Sequence, residues 1–230
     1  NGLEKDQYEC RYFFTGANPN NYVTFNGETA GWRIISVGCD GTIKIMKTVD
    51  INTSNTLAWD SSNSNNWARP ASLNTYLNGT YLNSLSSEAQ GQIVASDYSI
   101  GAVTSNNNNI SSQVTAENSK KWKGKIALPT LSEYLRTNSN SNCKTFSTYN
   151  NNPNTCRNTT WMDESNIDYW WTLSPYSGGS SGVFGVNGIG NVYNYNVSYA
   201  DIAVRPAITL SSEVQITGGD GSQSNPYTLG

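Results

Sequence analysis

The residue types on which most enzyme active sites depend are scarce in this chain of 230 residues. It contains no histidine, so neither a Ser-His-Asp nor a Cys-His catalytic site can form within it, and the commonest metal-binding side chain is missing. The carboxylates are scattered; they leave a hydrolase with paired carboxylates open, but no spacing predicts one. The sequence therefore predicts a binding protein and not an enzyme.

Four cysteines are the most reactive groups that remain. Cys10, Cys39, Cys143 and Cys156 include no C-x-x-C pair, which argues against a zinc site or a thioredoxin-like centre. An even number of cysteines in a chain rich in Asn, Ser, Thr and Tyr predicts disulfides and an oxidising compartment. We expect the pairs Cys10–Cys39 and Cys143–Cys156, because they close the shorter loops. The second pair would contribute about 3 kcal/mol on the loop-entropy model.

Oxygen ligands for a cation are sparse. Calcium takes about six to eight oxygens, usually with several carboxylates among them. The local candidates are Asp163 and Glu164 with Asp168, and Asp220 in the sequence GGDGS, which is more typical of a plain turn. We expect no cofactor, and calcium is the alternative that the sequence leaves open.

One long segment has the composition of a binding surface. Residues 174–201 are nearly uncharged and rich in Tyr, Ser, Gly and Asn. Binding loops favour these residues, because tyrosine offers rigid contact area and the small polar residues offer adaptable hydrogen bonds. Aromatic faces flanked by amides also suit sugars. The predicted ligand contacts are Tyr176, Ser180, Asn187, Asn191, Tyr193, Asn194, Tyr195, Tyr199 and Asp201.

The two-residue repeat of a strand also predicts which of these side chains share a face. Alternation predicts Tyr193, Tyr195 and Val197 on one face of a strand, and Asn194 and Asn196 on the other. The alternative is an ordinary β-hairpin sheet in which cross-strand tyrosine pairs serve packing alone.

The composition of the chain favours some classes of protein and argues against others. Charged residues make up 13% of the chain and aromatic residues 11%, which predicts an uncharged polar protein with a folded core. The net charge of −3 and the lack of a basic patch argue against nucleic-acid binding. The short basic run at residues 120–125 is predicted to be a solvated loop. No apolar stretch reaches the ~18 residues of a transmembrane helix, and no signal peptide is visible, so we expect a processed or truncated chain.

Three regions of secondary structure must position these residues. A β-meander is predicted at residues 22–47, with turns at Asn26-Gly27 and Asp40-Gly41. Helices are predicted after a cap at Ser72, after the capping box that begins at Ser87, and after the box that begins at Thr130. Residues 104–119 lack a core-forming pattern and are predicted to be a surface excursion.

The last third returns to strands. Trp170 and Trp171 are adjacent, so a strand would point them to opposite faces, with at least one in the core. Arg205 precedes a proline within an apolar run, which favours a structural ion pair over a substrate contact; its candidate partners are Glu133, Asp163 and Asp168. The predicted strands are 169–173, 183–186, 191–197 and 202–210, with edge strands at 214–216 and 227–229.

Several segments in this order resemble a known family. They are YVTFNG, GWRIISV, WARPASLNTYLNG, LPTLSEY, WWTLSP and AVRPAITL. Together they are similar to the DUF6273-type domains of bacterial surface proteins, from about residue 15 to residue 229. The resemblance extends more weakly to the variable proteins of diversity-generating retroelements.

The resemblance implies a fold. We expect a single α+β domain over residues 1–230 of the C-type-lectin-like and formylglycine-generating-enzyme-like type. It would have an N-terminal β-meander, two or three short helices and a C-terminal antiparallel sheet, with residues 1–15 as a lead-in and 211–230 as edge strands. Formylglycine-generating enzymes need a reactive cysteine pair in the C-terminal part of the fold, and this chain has no cysteine after Cys156. That activity is therefore not expected.

The function expected from the resemblance is extracellular binding at the bacterial cell surface. The ligand would be a glycan or a cell-surface protein, held by residues 174–201, a segment that retroelement relatives diversify. The sugar-and-calcium tripeptides of vertebrate C-type lectins are absent, since residues 18–20 and 152–154 read Asn-Pro-Asn. The alternative is a structural or tip subunit of a pilus-like appendage, because similar proteins follow a pilin-like anchor segment.

Overall fold

The computed structural model describes residues 2–105, 109–163 and 167–230. Within these ranges the chain mixes short helices with several sheets whose strands pair in antiparallel fashion, which agrees with the predicted α+β class. Glu164, one of the calcium candidates, lies outside the described residues.

The largest sheet is built mainly from the N-terminal part of the chain. Its strands are β1 (Leu3–Lys5), β2 (Arg11–Phe14), β3 (Tyr22–Phe25), β4 (Glu28–Gly38), β5 (Ile43–Lys47), β8 (Ile126–Ala127) and β12 (Ala207–Leu210). They lie in the order β1-β2-β4-β5-β12-β8, and β3 pairs with β4 beside β2. The predicted meander is confirmed, and residues 1–15, expected as a lead-in, supply β1 and β2. The strand β12 comes from the C-terminal region and closes the sheet between β5 and β8.

Three smaller sheets and a set of short helices complete the described structure. The sheets are β6 (Ser96–Ser99) with β7 (Lys121–Gly124); β9 (Tyr169–Pro175), β10 (Gly182–Asn187) and β11 (Val192–Asn196); and β13 (Ile216–Gly218) with β14 (Thr228–Leu229). The helices are α1 (Ser72–Tyr76), continued by the π-helical turn Leu77–Tyr81 and by α2 (Leu82–Ser84), then α3 (Ser87–Gln92), α4 (Ile110–Asn118), α5 (Leu131–Arg136), α6 (Phe146–Asn151) and α7 (Pro153–Arg157), with a 3₁₀ turn at Ser141–Cys143.

The helix starts agree only partly with the sequence. The predicted capping box at Thr130 is confirmed. The prediction for α3 is wrong by one residue, since Ser86 and not Ser87 is the cap. Ser72 does not cap α1, because its own backbone N–H donates to the carboxylate of Asp60 at 3.2 Å. That carboxylate lies twelve residues earlier in the loop that precedes α1, beyond the four residues that a capping pattern covers.

Two segments predicted to lie in solvent are ordered elements. The described part of residues 104–119 contains α4, which buries Val114 and Glu117. Residues 120–125 contain β7, which pairs with β6 and packs Trp122 partly against the core. The polar side chains of α4 that find partners inside the protein produce no apolar periodicity. In β7 the side chains of Lys121 and Lys123 are exposed, as predicted, and only the loop assignment was wrong, because the segment pairs with β6.

Two apolar cores lie on opposite sides of the sheets. Neighbouring residues along a strand belong to different cores, since Ile34 and Trp171 lie in the first core and Ile35 and Trp170 in the second. The prediction that the two tryptophans point to opposite faces is confirmed, and both are buried. The sheet β9–β11 therefore has a fixed position between the two cores.

Both predicted disulfides are present. Cys10–Cys39 joins the start of β2 to the end of β4, and Cys143–Cys156 encloses α6. Disulfides are compatible with a secreted or extracellular protein. No helix within the described ranges is long and apolar enough to cross a membrane.

Arg205 is fully buried, but one of its predicted partners is bound elsewhere. The carboxylate of Glu133 lies 2.6 Å from Nζ of Lys44. Arg205 also donates to the backbone carbonyls of Met162 at 2.7 Å and of Lys47 at 3.2 Å. These bonds tie the end of β5 to the segment that precedes β9.

Candidate functional site

The predicted binding segment forms two strands of the sheet β9–β11. Gly185 of the central strand pairs with Trp171 on one side and with Tyr193 on the other, and directly opposed residues project from the same face. Tyr169 and Tyr195 are two residues away from these positions and share that face. We call the face that bears Tyr169, Trp171, Tyr193 and Tyr195 the tyrosine face.

The rings on the tyrosine face pack against one another. The ring of Tyr195 lies 5.7 Å from that of Tyr169 and 6.3 Å from that of Trp171, and both pairs are nearly perpendicular, an arrangement that aromatic rings favour. Gly185 leaves room for this ring, because a β-carbon there would lie 3.0 Å from Cδ2 of Tyr195. Tyr195 is thus half-buried, while Tyr169 and Tyr193 are 45% and 47% exposed.

The phenol of Tyr195 has a raised pKa. Burial, with smaller contributions from the phenols of Tyr169 and Tyr193, raises the pKa of Tyr195 to about 12. A neutral phenol both donates and accepts a hydrogen bond. The face therefore offers apolar ring area together with hydroxyl groups.

The chain crosses the sheet after β11. The N–H of Val197 donates to the carbonyl of Ser181 beside β10, and the N–H of Ala203 donates to the carbonyl of Tyr169 on the far edge of β9. Residues 197–203 therefore run from one edge of the sheet to the other, and we call them the crossing loop. Val197, predicted to share an exposed strand face with the tyrosines, lies beyond β11 and is buried.

The crossing loop passes over the tyrosine face. Val197 and Ile202 belong to the first core, as Trp171 does, so the loop lies on the side of the sheet that Trp171 occupies. The buried side chain of Asn52 fixes the loop, since its amide donates to the carbonyl of Ala200 at 2.6 Å and to that of Ile202 at 3.1 Å. The exposed side chains of this loop include two predicted contacts, Tyr199 and Asp201.

Two other predicted contacts lie on the opposite side of the sheet. Asn194 pairs with Phe184, which is part of the second core. The ring of Tyr176 packs against Phe184 at 5.8 Å and nearly at a right angle. The structure therefore does not bring Asn194 and Tyr176 together with Tyr193 and Tyr195.

The remaining predicted contacts shape turns. The side-chain oxygen of Asn187 accepts hydrogen bonds from the backbone of Ile189 and Asn191 at 3.2 and 2.8 Å, which orders the β10–β11 turn. Ser180 lies in the exposed β9–β10 loop, where its carbonyl accepts a hydrogen bond from the backbone of Asn65. These hydrogen bonds lie at the two ends of the sheet β9–β11.

Sequence reasoning missed Tyr169 as a surface residue. The signal was present, because Tyr169 stands two places before Trp171 in a predicted strand and alternation places both on one face. The exposed position of Tyr169 depends on where the sheet ends, which the pattern does not reveal.

The described residues offer little to a metal ion. They contain no group of three or more Cys, Asp or Glu side chains arranged to hold one. Asp220 accepts a hydrogen bond from the backbone of Ser222 within its own turn at 2.9 Å, and Asp163 accepts one from the hydroxyl of Tyr134 at 3.3 Å.

Comparison with known proteins gives one match. A family model described as a domain of unknown function, DUF6273, matches residues 40–212. This span covers more than half of the chain and includes the whole sheet β9–β11 with the crossing loop. No curated protein and no protein of solved structure matches the chain.

Proposed function

Since the chain belongs to the DUF6273 family, which carries no assigned function, we propose that it is an extracellular ligand-binding protein and that its tyrosine face binds a glycan. The observation that carries the proposal is the set of three neighbouring tyrosines, two exposed and one half-buried, on one face of the sheet. Several exposed aromatic residues at one place mark an interaction surface.

The chemistry of the face suits a sugar. A pyranose ring presents C–H groups on one side and hydroxyls at its rim, so it needs apolar area beside hydrogen-bonding groups. Tyrosine supplies both in a single side chain. Tyr195 is already held by Trp171 and Tyr169, so its ring loses little rotamer freedom when a ligand binds.

The finer parts of the proposal concern fold and location. We propose a C-type-lectin-like fold and a place on the bacterial cell surface, anchored through a segment outside this chain. The α+β class, the C-terminal antiparallel sheet and the two disulfides support this. A cell-surface protein is the alternative ligand, and it would use the same aromatic contact area.

A glycan array probed with the labelled protein tests the proposal, followed by titration of each glycan that binds. The test variants are Tyr169→Ala and Tyr193→Ala, and the matched control is Tyr12→Ala, an exposed tyrosine on β2 of the large sheet. Each test variant should weaken binding about tenfold or more, a loss of ~1.4 kcal/mol or more, and the control should not. Equal losses in all three variants, or an array without any bound glycan, would contradict the proposal.

A structural subunit of a pilus-like appendage is the second candidate. One observation favours it: β1 is the edge strand of the large sheet and exposes Leu3. An open edge offers unpaired backbone groups to a strand from another molecule. Sedimentation over a wide concentration range would show assembly if this is the function, and a monomer at every concentration would oppose it.

A further inference from the structure

A cavity separate from the tyrosine face lies on the second-core side of the large sheet. It is a cleft of about 380 Å³, a volume within the range of small-molecule sites. Side chains from β2, β4, β5 and β12 form one wall, and α4, α5 and the two-stranded sheet β6–β7 form the other. None of the lining residues belongs to the tyrosine face, so a ligand of this cleft is independent of the proposed function.

The two carboxylates nearest the cations of this cleft, those of Glu9 and Glu133, already have partners. Glu133 accepts from Nζ of Lys44 at 2.6 Å with one oxygen and from the backbone of Thr130 at 2.8 Å with the other. Glu9 lies 2.7 Å from Nη1 of Arg136. These two carboxylates are thus engaged, while the exposed carboxylate of Asp97 also lines the cleft.

Two cations of the cleft retain donors. In the part of the chain that the structure describes, Glu133 is the one hydrogen-bond acceptor of the Lys44 ammonium, which has three protons. The guanidinium of Arg11 makes one long hydrogen bond, 3.4 Å to the hydroxyl of Ser36. Its Nε is buried without a hydrogen-bond partner among the described residues. Lys44 and Arg11 therefore retain positively charged donor capacity in the cleft, with Glu9 3.6 Å from Nε of Arg11.

The buried carboxyl of Glu117 also lines the cleft. Burial raises the pKa of this group, although hydrogen bonds from Ser132 and Ser174 act against the increase. The side chain is almost completely buried, and its Oε1 accepts from the backbone of Ser132 at 3.1 Å and from the hydroxyl of Ser174 at 2.6 Å. The Oε1 atom of Glu117 is therefore already engaged by donors of the protein itself.

We propose that this cleft binds a small hydroxylated carboxylic acid, namely a uronic acid, either free or at the end of a glycan chain. The ligand carboxylate would accept from Arg11 and Lys44. A single negative charge fits the site better than a phosphate dianion, because Glu9 and Glu133 lie beside these cations. The ligand hydroxyls would meet the short hydroxyl side chains that line the cleft: Ser36, Thr42, Ser96, Ser99, Ser132 and Thr209.

Calorimetric titration with glucuronate, galacturonate and a short oligogalacturonide, each against neutral glucose, tests the site. The test variants are Arg11→Gln and Lys44→Met. The control is Lys120→Gln, which removes the same charge from an exposed residue next to the cleft but not part of its lining. Melting curves of all variants show whether each is folded.

At least one uronate should bind the unmodified protein at least tenfold more tightly than glucose. Arg11→Gln should weaken that binding about tenfold or more, and Lys120→Gln should leave it within about twofold. Because Lys44 is buried, Lys44→Met can fail to fold, and Arg11→Gln, at a partly exposed residue, then decides the result. The proposal is overturned if no uronate binds at millimolar concentration, if glucose binds as tightly, or if Arg11→Gln and Lys120→Gln weaken binding equally.

Discussion

The ring of Tyr195 lies over the backbone of Gly185 on the neighbouring strand, so close that a β-carbon on residue 185 would lie 3.0 Å from Cδ2 of the ring. The same β-carbon would lie 3.0 Å from the carbonyl oxygen of Trp170. Glycine at this position lets an aromatic ring lie across the sheet. The shape of the tyrosine face therefore depends on a residue that makes no side-chain contact.

Gly185→Ala should displace the Tyr195 ring and destabilise the protein by about 1–3 kcal/mol, as overpacking does. Glycan binding should weaken as well, because Tyr169 loses its neighbour. Urea unfolding and glycan titration measure the two effects. Gly91→Ala is the control, since a β-carbon there meets nothing within 4 Å. An unchanged affinity in Gly185→Ala would show that the position of the Tyr195 ring does not matter for the ligand.

Both tryptophans of β9 should contribute strongly to the stability of the protein. Trp170→Ala and Trp171→Ala should each cost about 3–5 kcal/mol of unfolding free energy, because each opens a cavity in a different core. Tyr169→Ala, one position earlier and 45% exposed, should change stability by about 0.5 kcal/mol or less. A small effect at either tryptophan, measured by urea unfolding, would mean that one of the two cores is not packed as described.

Acid should destabilise the protein through Glu9. Burial alone would raise the pKa of this carboxyl, but the guanidinium groups of Arg136 and Arg11 outweigh it and lower the pKa from 4.5 to about 2. The folded state thus keeps Glu9 ionised where the unfolded chain is already protonated. Its contribution, up to about 3 kcal/mol, is complete above about pH 5 and is lost as the pH falls from about 4.5 toward 2.

Glu9→Gln measures this contribution. Unfolding free energies at about pH 6 and pH 3 should differ less in the variant than in the unmodified protein. Glu4→Gln, an exposed carboxylate on β1, is the control and should leave the difference unchanged. An identical acid dependence in Glu9→Gln and in the unmodified protein would exclude Glu9 as its source.

The two disulfides should differ in their effect on uronate binding by the cleft. Replacing either pair by serine should cost about 3–4 kcal/mol on the loop-entropy model, since both close loops of moderate length. Cys10 is the neighbour of Arg11, and Cys39 adjoins Gly38 and Asp40 at the cleft. Loss of Cys10–Cys39 should therefore also weaken uronate binding, whereas loss of Cys143–Cys156 should not. Equal affinity in both variants would mean that this bridge does not position Arg11.

Within residues 176–202, natural sequence variation should be concentrated at exposed positions. If the surface is diversified, sequences from a bacterial population should differ at exposed positions such as Tyr193, Tyr199 and Asp201. Val192 and Val197 are buried and should stay apolar. Deep sequencing of the gene provides the measurement. Substitutions spread evenly over the surface would argue for a fixed ligand or a structural role.

Local signals predicted the parts of the fold that short segments determine. The turn at Asn26-Gly27 places both residues in the left-handed region, which Asn-Gly favours. The box at Thr130 needs only four consecutive residues. The alternation of Tyr193 and Tyr195 required only that the segment be a strand, and the structure confirms their common face.

The charged cleft could not be predicted in the same way. Lys44 and Glu133 are 89 residues apart, and their pairing depends on the crossing of β5 with the start of α5. Glu117 lies in a segment whose polar composition predicted solvent exposure. Buried polar residues are recognised by their partners, and the partners are known only once the chain is folded.

Asn52 holds the crossing loop by main-chain oxygens alone, those of Ala200 and Ile202. Every residue type supplies a carbonyl, so the exposed side chains between and beside these anchors can be exchanged without loss of the attachment. The path of the crossing loop can therefore stay the same while its exposed side chains change. A lineage could change what this surface recognises by single substitutions while every descendant retains the same scaffold.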